Sequence, residues 1–318
     1  MLIFSTLIMS PTTVTVITPG TTANLGPGFD CLGAALTIYN RFEFSLNPEQ
    51  RVKITVTGAE SAAVITDQSN LLYQVFRELY QHLGQEPPGV EIKIKLGVPL
   101  ARGLGSSATA IVGGLVAANY LAGNPLSQIE LRDLAIAREG HPDNVVPTLL
   151  GNCQLSVPNA QSWEICSIPW HKEIIPVVAI PDFQLSTETA RSVLPRQIDR
   201  SDAIFNLAHL GLLLRGLATN QGEWLSLALS DRLHQPYREA LIPGYQVVRS
   251  EAIAHGAYGL VISGAGPTLL ALVNASEAQK VELAIRETWQ NLGIQVQVKS
   301  LALDTQGTRI TESSNPSA

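Results

Sequence analysis

Residues 97–110 read Gly97-Val-Pro-Leu-Ala-Arg-Gly-Leu-Gly-Ser-Ser-Ala-Thr-Ala110, and residues 111–120 continue in small and apolar types. Just upstream, Val90, Ile92, Ile94 and Leu96 alternate with Glu91, Lys93 and Lys95, the period of a half-buried strand. Downstream, residues 106–121 predict a helix rich in Ala and Leu with no polar face. A strand therefore enters a glycine loop that opens directly onto a helix N-terminus. The first amides of a helix lack internal partners, and the macrodipole is positive there, so such an end attracts anions. Ser106 and Ser107 add hydroxyls suited to capping, to phosphate or to a magnesium ion. The loop is read as holding the phosphates of a nucleotide.

Other readings of the loop compete. It is not a Walker loop, because no Gly-Lys-Ser/Thr follows the second glycine. It fits the loose dinucleotide pattern Gly-x-Gly-x-x-Ala, but that fingerprint needs a second strand ending in an acidic residue about twenty residues on. Here the helix runs into Gly123-Asn124-Pro125, and residues 127–138 predict another helix. The plainest alternative is that the glycines only permit tight packing.

At 318 residues the chain is long for one domain, and two are expected. With 21 basic and 27 acidic residues the net charge is −6, and no basic block is present. Duplex nucleic acid and anionic membranes are therefore poor partners. Cys31, Cys153 and Cys166 have unrelated spacings, which suggests neither a metal cluster nor a disulfide frame and suits a reducing cytoplasm. Residues 1–9 are apolar but short and lack a basic flank, so Met1 to Ser10 reads as an extension rather than a signal peptide. No run is long enough to cross a bilayer, and a soluble protein is expected.

Along the chain, residues 12–18 read as a strand ending at Pro19-Gly20. Turn chemistry follows from Thr21 to Asp30, where Asn24 and Asp30 offer an amide and a carboxylate from a glycine-framed loop. Residues 36–46 and 51–58 look extended. Residues 70–83 predict an amphipathic helix to which no chemistry is assigned. Residues 138–147 read as a polar bend after a helix. Residues 153–157 and 163–168 read as strands. From Ile174 onward the order is β-α-β-β-α-β, the ferredoxin-like pattern. Residues 304–318 read as a frayed polar tail.

Three stretches together resemble the signature set of the GHMP small-molecule kinases: Thr18-Pro19-Gly20 to Asp30, Pro99 to Ala110, and Ser263 to Thr268. Within that superfamily the resemblance is to the homoserine kinase family. The specific marks are residues 23–30 (Ala-Asn-Leu-Gly-Pro-Gly-Phe-Asp), 139–145 (Glu-Gly-His-Pro-Asp-Asn-Val), 186–191 (Ser-Thr-Glu-Thr-Ala-Arg) with Leu194-Pro195, and Pro236-Tyr237-Arg238. The resemblance implies an α+β, two-domain GHMP fold. Residues 11–170 would form an N-terminal ATP-binding domain like ribosomal protein S5, and residues 171–303 a C-terminal ferredoxin-like domain. It implies transfer of the γ-phosphoryl group of ATP to the side-chain hydroxyl of L-homoserine in threonine biosynthesis. Relatives are often homodimers, although no interface pattern is legible in this sequence.

By the same resemblance, Pro99, Leu100, Ala101, Arg102, Gly103, Leu104, Gly105, Ser106, Ser107, Ala108 and Thr109 hold ATP, and Ser107 and Glu139 ligate Mg2+. Asp30 takes the substrate ammonium, Arg191 and Arg238 its carboxylate, and Asn24, His141 and Thr187 complete the pocket. Asn144, with Arg191 and Thr187, stands in the catalytic set. An amide cannot act as a base, so Asn144 is expected to orient the acceptor hydroxyl. Asp143 beside it is a weaker candidate base, since adjacent side chains need not share a pocket. Two rival functions stay open on sequence: another GHMP kinase acting on mevalonate, a sugar or shikimate, and a noncatalytic nucleotide-binding protein of the same fold.

Overall fold

The computed structural model describes residues 12–160 and 162–311. The extension expected at Met1 to Ser10 and the end of the tail, residues 312–318, lie outside the described residues. In chain order the first part comprises β1 (Thr13–Ala23), β2 (Leu32–Leu46), β3 (Val52–Thr57), α1 (Leu71–His82), β4 (Val90–Lys95), α2 (Ser106–Leu121), α3 (Gln128–Glu139), α4 (Pro142–Leu150), β5 (Cys153–Pro158) and β6 (Trp163–Ile168). The rest comprises β7 (Ile174–Pro181), α5 (Thr187–Ser192), α6 (Arg200–Thr219), α7 (Gly222–Ala228), α8 (Gln235–Arg238), α9 (Tyr245–Ala254), β8 (Ala257–Ile262), β9 (Leu269–Asn274), α10 (Ala278–Asn291), β10 (Val296–Ser300) and β11 (Arg309–Thr311).

The strands form two sheets. The first has the order β11-β1-β2-β4-β3, with β5 on the first residues of the long β2 and β6 on β5. The second has the order β10-β7-β9-β8, which is the ferredoxin-like arrangement expected from the element order. The molecule is thus α+β. One core lies between the first sheet and α1 to α4. A second joins residues of both sheets with α6 and α7, and a third lies between the second sheet, α9 and α10. Helix α2 is buried on nearly every side, which explains why its sequence has no polar face.

Three expectations need correction. Strand β1 does not stop at Pro19-Gly20. It continues to Ala23 through a register shift there, because a proline without an amide is tolerated where the ladder is irregular. The bend expected over residues 138–147 is mostly helix: α3 ends at Gly140 in the left-handed region, and α4 begins at once with Pro142 in its first turn. Pro142 and Pro147 read as breakers in sequence, but the first occupies the favoured helix start. The tail is packed as far as Thr311. Asp304 is buried, its carboxylate accepts from Tyr39, Arg309 and the amides of Gln306 and Gly307, and β11 pairs with β1.

Candidate active site

The glycine loop is clamped between the two sheets. Thr21 N of β1 donates to Leu104 O at 3.0 Å, and Thr268 N donates to Arg102 O at 3.2 Å. Ser263 Oγ donates to Gly103 O at 2.7 Å. A side chain at Gly103 would run into the backbone oxygens of Ser263 and Gly266, so the loop and the residue 263–267 turn approach as only a glycine allows. Gly105, at φ +67°, caps α2 and points the first turn of that helix into a cavity of about 580 Å³.

One end of the cavity is apolar, walled by Phe42, Val64, Ile65, Leu71, Leu72 and Leu96. The other end is charged. Arg191 makes a two-pronged ion pair with Asp30, at 2.7 and 3.1 Å. Arg238, only 2% exposed, donates through Nε to Ala190 O and through Nη1 to Gly264 O. Both guanidinium groups lie over the Phe29 ring, at 5.8 and 5.2 Å from its centre. Burial, and after it the charge of Arg191, holds Arg238 below the ordinary guanidinium range. Asp30 has φ +57° and Asn24 φ +73°. These short polar residues tolerate that conformation, and Asn24 Oδ1 secures it by accepting from Asp30 N.

Between the two ends, α4 presents Asp143 and Asn144 from its first turn, with His141 just before it. Thr21 Oγ1 donates to Asn144 Oδ1 at 2.7 Å, and Asn144 Nδ2 lies 3.4 Å from Asp143 Oδ1. That Asp143 oxygen also takes Nδ1 of His141. Burial pulls the His141 imidazole down, but Asp143 and Glu139 outweigh it and the net shift is upward. At the rim, Ser107 Oγ donates to Glu139 Oε2 at 3.0 Å. Burial pushes the Glu139 carboxyl up, against His141 and Ser107, which pull it down. Two hard oxygens beside the start of α2 suit Mg2+, which takes few protein ligands and keeps waters and phosphate oxygens. Asp30, His141 and Asp143 also form a compact group. Their polar atoms are already engaged by Arg191 and by one another, which disfavours a cation there.

Asn24, Asp30, Ser107, Glu139, His141, Asn144, Thr187, Arg191 and Arg238 all line this one cavity, as do Leu100 to Gly103, Gly105 and Ser106. Four residues of the expected nucleotide set do not. Pro99 lines a separate hollow, while the side chains of Leu104, Ala108 and Thr109 are buried in the interior. The Thr109 amide is spent on Gly105 O and its hydroxyl on Ser106 O, so Thr109 has no donor left for phosphate. The Arg102 side chain braces Pro181 O, Asp182 O and Leu100 O and pairs with Glu60. Asp143, the weaker candidate base, does line the same pocket as Asn144. Helix α1, to which sequence reading gave no chemistry, supplies part of the apolar wall through Leu71 and Leu72. The one sequence signal for that wall is the turn-rich run Asp67-Gln68-Ser69-Asn70 before it.

Residues 70–152 match the GHMP kinases N terminal domain, and residues 210–291 match the GHMP kinases C terminal. The chain is 65% identical over 294 residues to a homoserine kinase of Trichormus variabilis, covering 92% of this chain and 97% of that one. The chain belongs to the homoserine kinase family. The crystal structure of homoserine kinase from Cytophaga hutchinsonii superposes with a TM-score of 0.86 at 30% identity, covering 98% of this chain and all of that one. A crystal structure of mevalonate kinase superposes with a TM-score of 0.69 at 14% identity, covering 92% and 99%, and shares the fold alone. Membership in the homoserine kinase family makes this chain a kinase of the GHMP fold. What separates it from mevalonate kinase has to lie in the site.

Proposed function

We propose that this chain transfers the γ-phosphoryl group of ATP to the side-chain hydroxyl of L-homoserine, releasing ADP and O-phospho-L-homoserine for threonine biosynthesis. One observation carries the reading. A carboxylate, Asp30, and two guanidinium groups, Arg191 and Arg238, converge in the cavity that receives the start of α2. An amino acid is a zwitterion and needs both signs. Mevalonate, sugars and shikimate carry no ammonium that could take the place of Arg191 on Asp30.

Asp30 and Arg191 satisfy one another here, so an incoming zwitterion replaces both halves of a standing ion pair. Its ammonium goes to Asp30 and its carboxylate to Arg191 and Arg238, where the planar fork favours bidentate contact. The unpaired amides at the start of α2 and the loop backbone cradle the phosphates. The apolar wall of Phe42, Ile65 and Leu72 suits the adenine ring. Mg2+ held by Ser107 and Glu139 would neutralise phosphate charge. Phosphoryl transfer asks the protein mainly for position and charge. Thr21 fixes the Asn144 amide so that it can orient the acceptor hydroxyl, whose proton leaves late, to the phosphoryl group or to solvent. A second reading rests on the buried Asp143 and its half-buried partner His141 in the same pocket, which offer a place for that proton.

The change of sheet between β6 and β7 supports dividing the chain into residues 11–170 and 171–303, with β11 returning to the first unit. Three free cysteines support action in the reducing cytoplasm. The described residues include no helix long and apolar enough to cross a membrane. Coupled ADP-release assays test the assignment with L-homoserine, mevalonate, galactose and shikimate. Turnover of L-homoserine alone is expected. Turnover of mevalonate without L-homoserine rejects the substrate, and tight ATP binding without any turnover rejects catalysis.

A further inference from the structure

Behind the charged end of the pocket sits a histidine that the mechanism above does not use. His234 is fully buried and precedes α8, the short helix that carries Arg238. Its Nε2 lies 2.9 Å from Gly26 O, and its Nδ1 lies 3.3 Å from Nη1 of Arg238. A carbonyl only accepts and a guanidinium only donates. Nε2 therefore carries the proton and Nδ1 the lone pair. The ring stacks on Phe29 at 5.0 Å, and Phe29 lies beneath both guanidinium groups. Asp231 anchors the backbone of this turn, accepting from the amides of Leu233, His234 and Gln235. Asn206 of α6 donates to the same carboxylate. His234 thus ties the first sequence motif, through Gly26 and Phe29, to Arg238.

We infer that His234 is a positioning residue: its Nδ1 lone pair fixes the Arg238 guanidinium at the pocket wall and so sets affinity for the carboxylate of the amino acid. The reasoning rests on the proposed homoserine reaction and adds to it a residue that does not line the cavity. A protonated ring would aim an N–H at a guanidinium already crowded by Arg191. The surroundings oppose that state. Burial holds His234 below the ordinary imidazole range and Arg238 pushes the same way, against Asp231 and, more weakly, Asp30 and the Gly26 carbonyl, which pull upward.

Two substitutions separate the two ring nitrogens. His234→Asn places an amide oxygen near the position of Nδ1 and gives up the bond to Gly26. His234→Gln reaches Gly26 and offers Arg238 no acceptor. The KM for L-homoserine is expected to stay within about threefold of the unsubstituted enzyme in His234→Asn. In His234→Gln it should rise about ten- to a hundredfold, the loss typical of one hydrogen bond to a charged group. The KM for ATP should stay unchanged in both. Equal rises in the two variants, or a matching rise for ATP, would overturn the inference. A measurement on the unsubstituted protein covers the case in which neither variant folds. Nitrogen-15 histidine spectra should show one buried ring protonated at Nε2 and bare at Nδ1, and a proton on Nδ1 would overturn it as well. If the unsubstituted enzyme does not turn over L-homoserine, the functional assignment has failed, and the tautomer measurement still judges the contact.

Discussion

Gly105 and Gly84 have the same φ, +67°, and differ in what a side chain would meet. At Gly84 an added Cβ has nothing within 4 Å, whereas at Gly105 it would stand 2.1 Å from Thr21 Oγ1 and 3.1 Å from Asn144 Oδ1. Alanine in the left-handed region costs about 1–2 kcal/mol at either position. At Gly105 the Thr21 hydroxyl must also swing away, breaking its 2.7 Å bond and leaving a buried amide oxygen short of a partner. That adds about 1–3 kcal/mol. Gly105→Ala should therefore lose about 2–5 kcal/mol of unfolding free energy against about 1–2 for Gly84→Ala. Activity should separate the pair further, because Asn144 loses its anchor. A misplacement of about 1 Å in a positioned group can cost about a hundredfold in rate. Urea unfolding and ADP-release kinetics on both variants provide the comparison. If Gly105→Ala matches Gly84→Ala in midpoint and kcat, the Thr21–Asn144 contact does not organise the site.

Arg238→Ala should raise the KM for L-homoserine far more than that for ATP, since a lost buried charged contact is worth about 2–5 kcal/mol; equal effects would assign Arg238 to structure, through its bonds to Ala190 O and Gly264 O. Asn144→Asp should lower kcat, and a gain in turnover would mean that the site wants a base. Glu139→Gln should raise the Mg2+ concentration for half-maximal rate by at least about tenfold, and an unchanged requirement would remove Glu139 from the metal site. Burial, followed by the charges of Asp143 and Asp30, pushes the Cys31 thiol up to about 11. The thiolate is the reactive form, and at pH 8 a thiol with its pKa near 11 holds almost none, so a maleimide should label exposed Cys166 well before Cys31, as peptide mapping over time would show.

Local chemistry made much of this protein readable in one dimension. The alternation of Val90 to Leu96, the Gly-Leu-Gly-Ser-Ser loop and the apolar run after it specify strand, turn and helix through contacts a few residues apart, and α2 begins and ends where its sequence predicts. The β-α-β-β-α-β order likewise follows from periodicity, and it suffices for the second sheet because few topologies satisfy it. Misreadings came where distant partners override a local signal. Pro147 and Pro142 look like breakers until α4 is seen packed in the first core, and residues 304–311 look like a polar tail until Asp304 collects its donors and β11 finds β1.

The site divides along the same line. The family resemblance supplied the candidate members, and their chemistry suits the proposal, because a phosphate needs free amides and a zwitterion needs both charges. Only the tertiary structure determined which groups meet. It gave Asp30 to Arg191, set Arg238 and His234 on opposite sides of one lone pair, and turned Thr109 away from the loop it follows. The Asp30–Arg191 pair spans 161 positions, and the bond that ties His234 to Gly26 spans 208. Contacts of that span depend on how the two sheets dock, and no local periodicity encodes the docking.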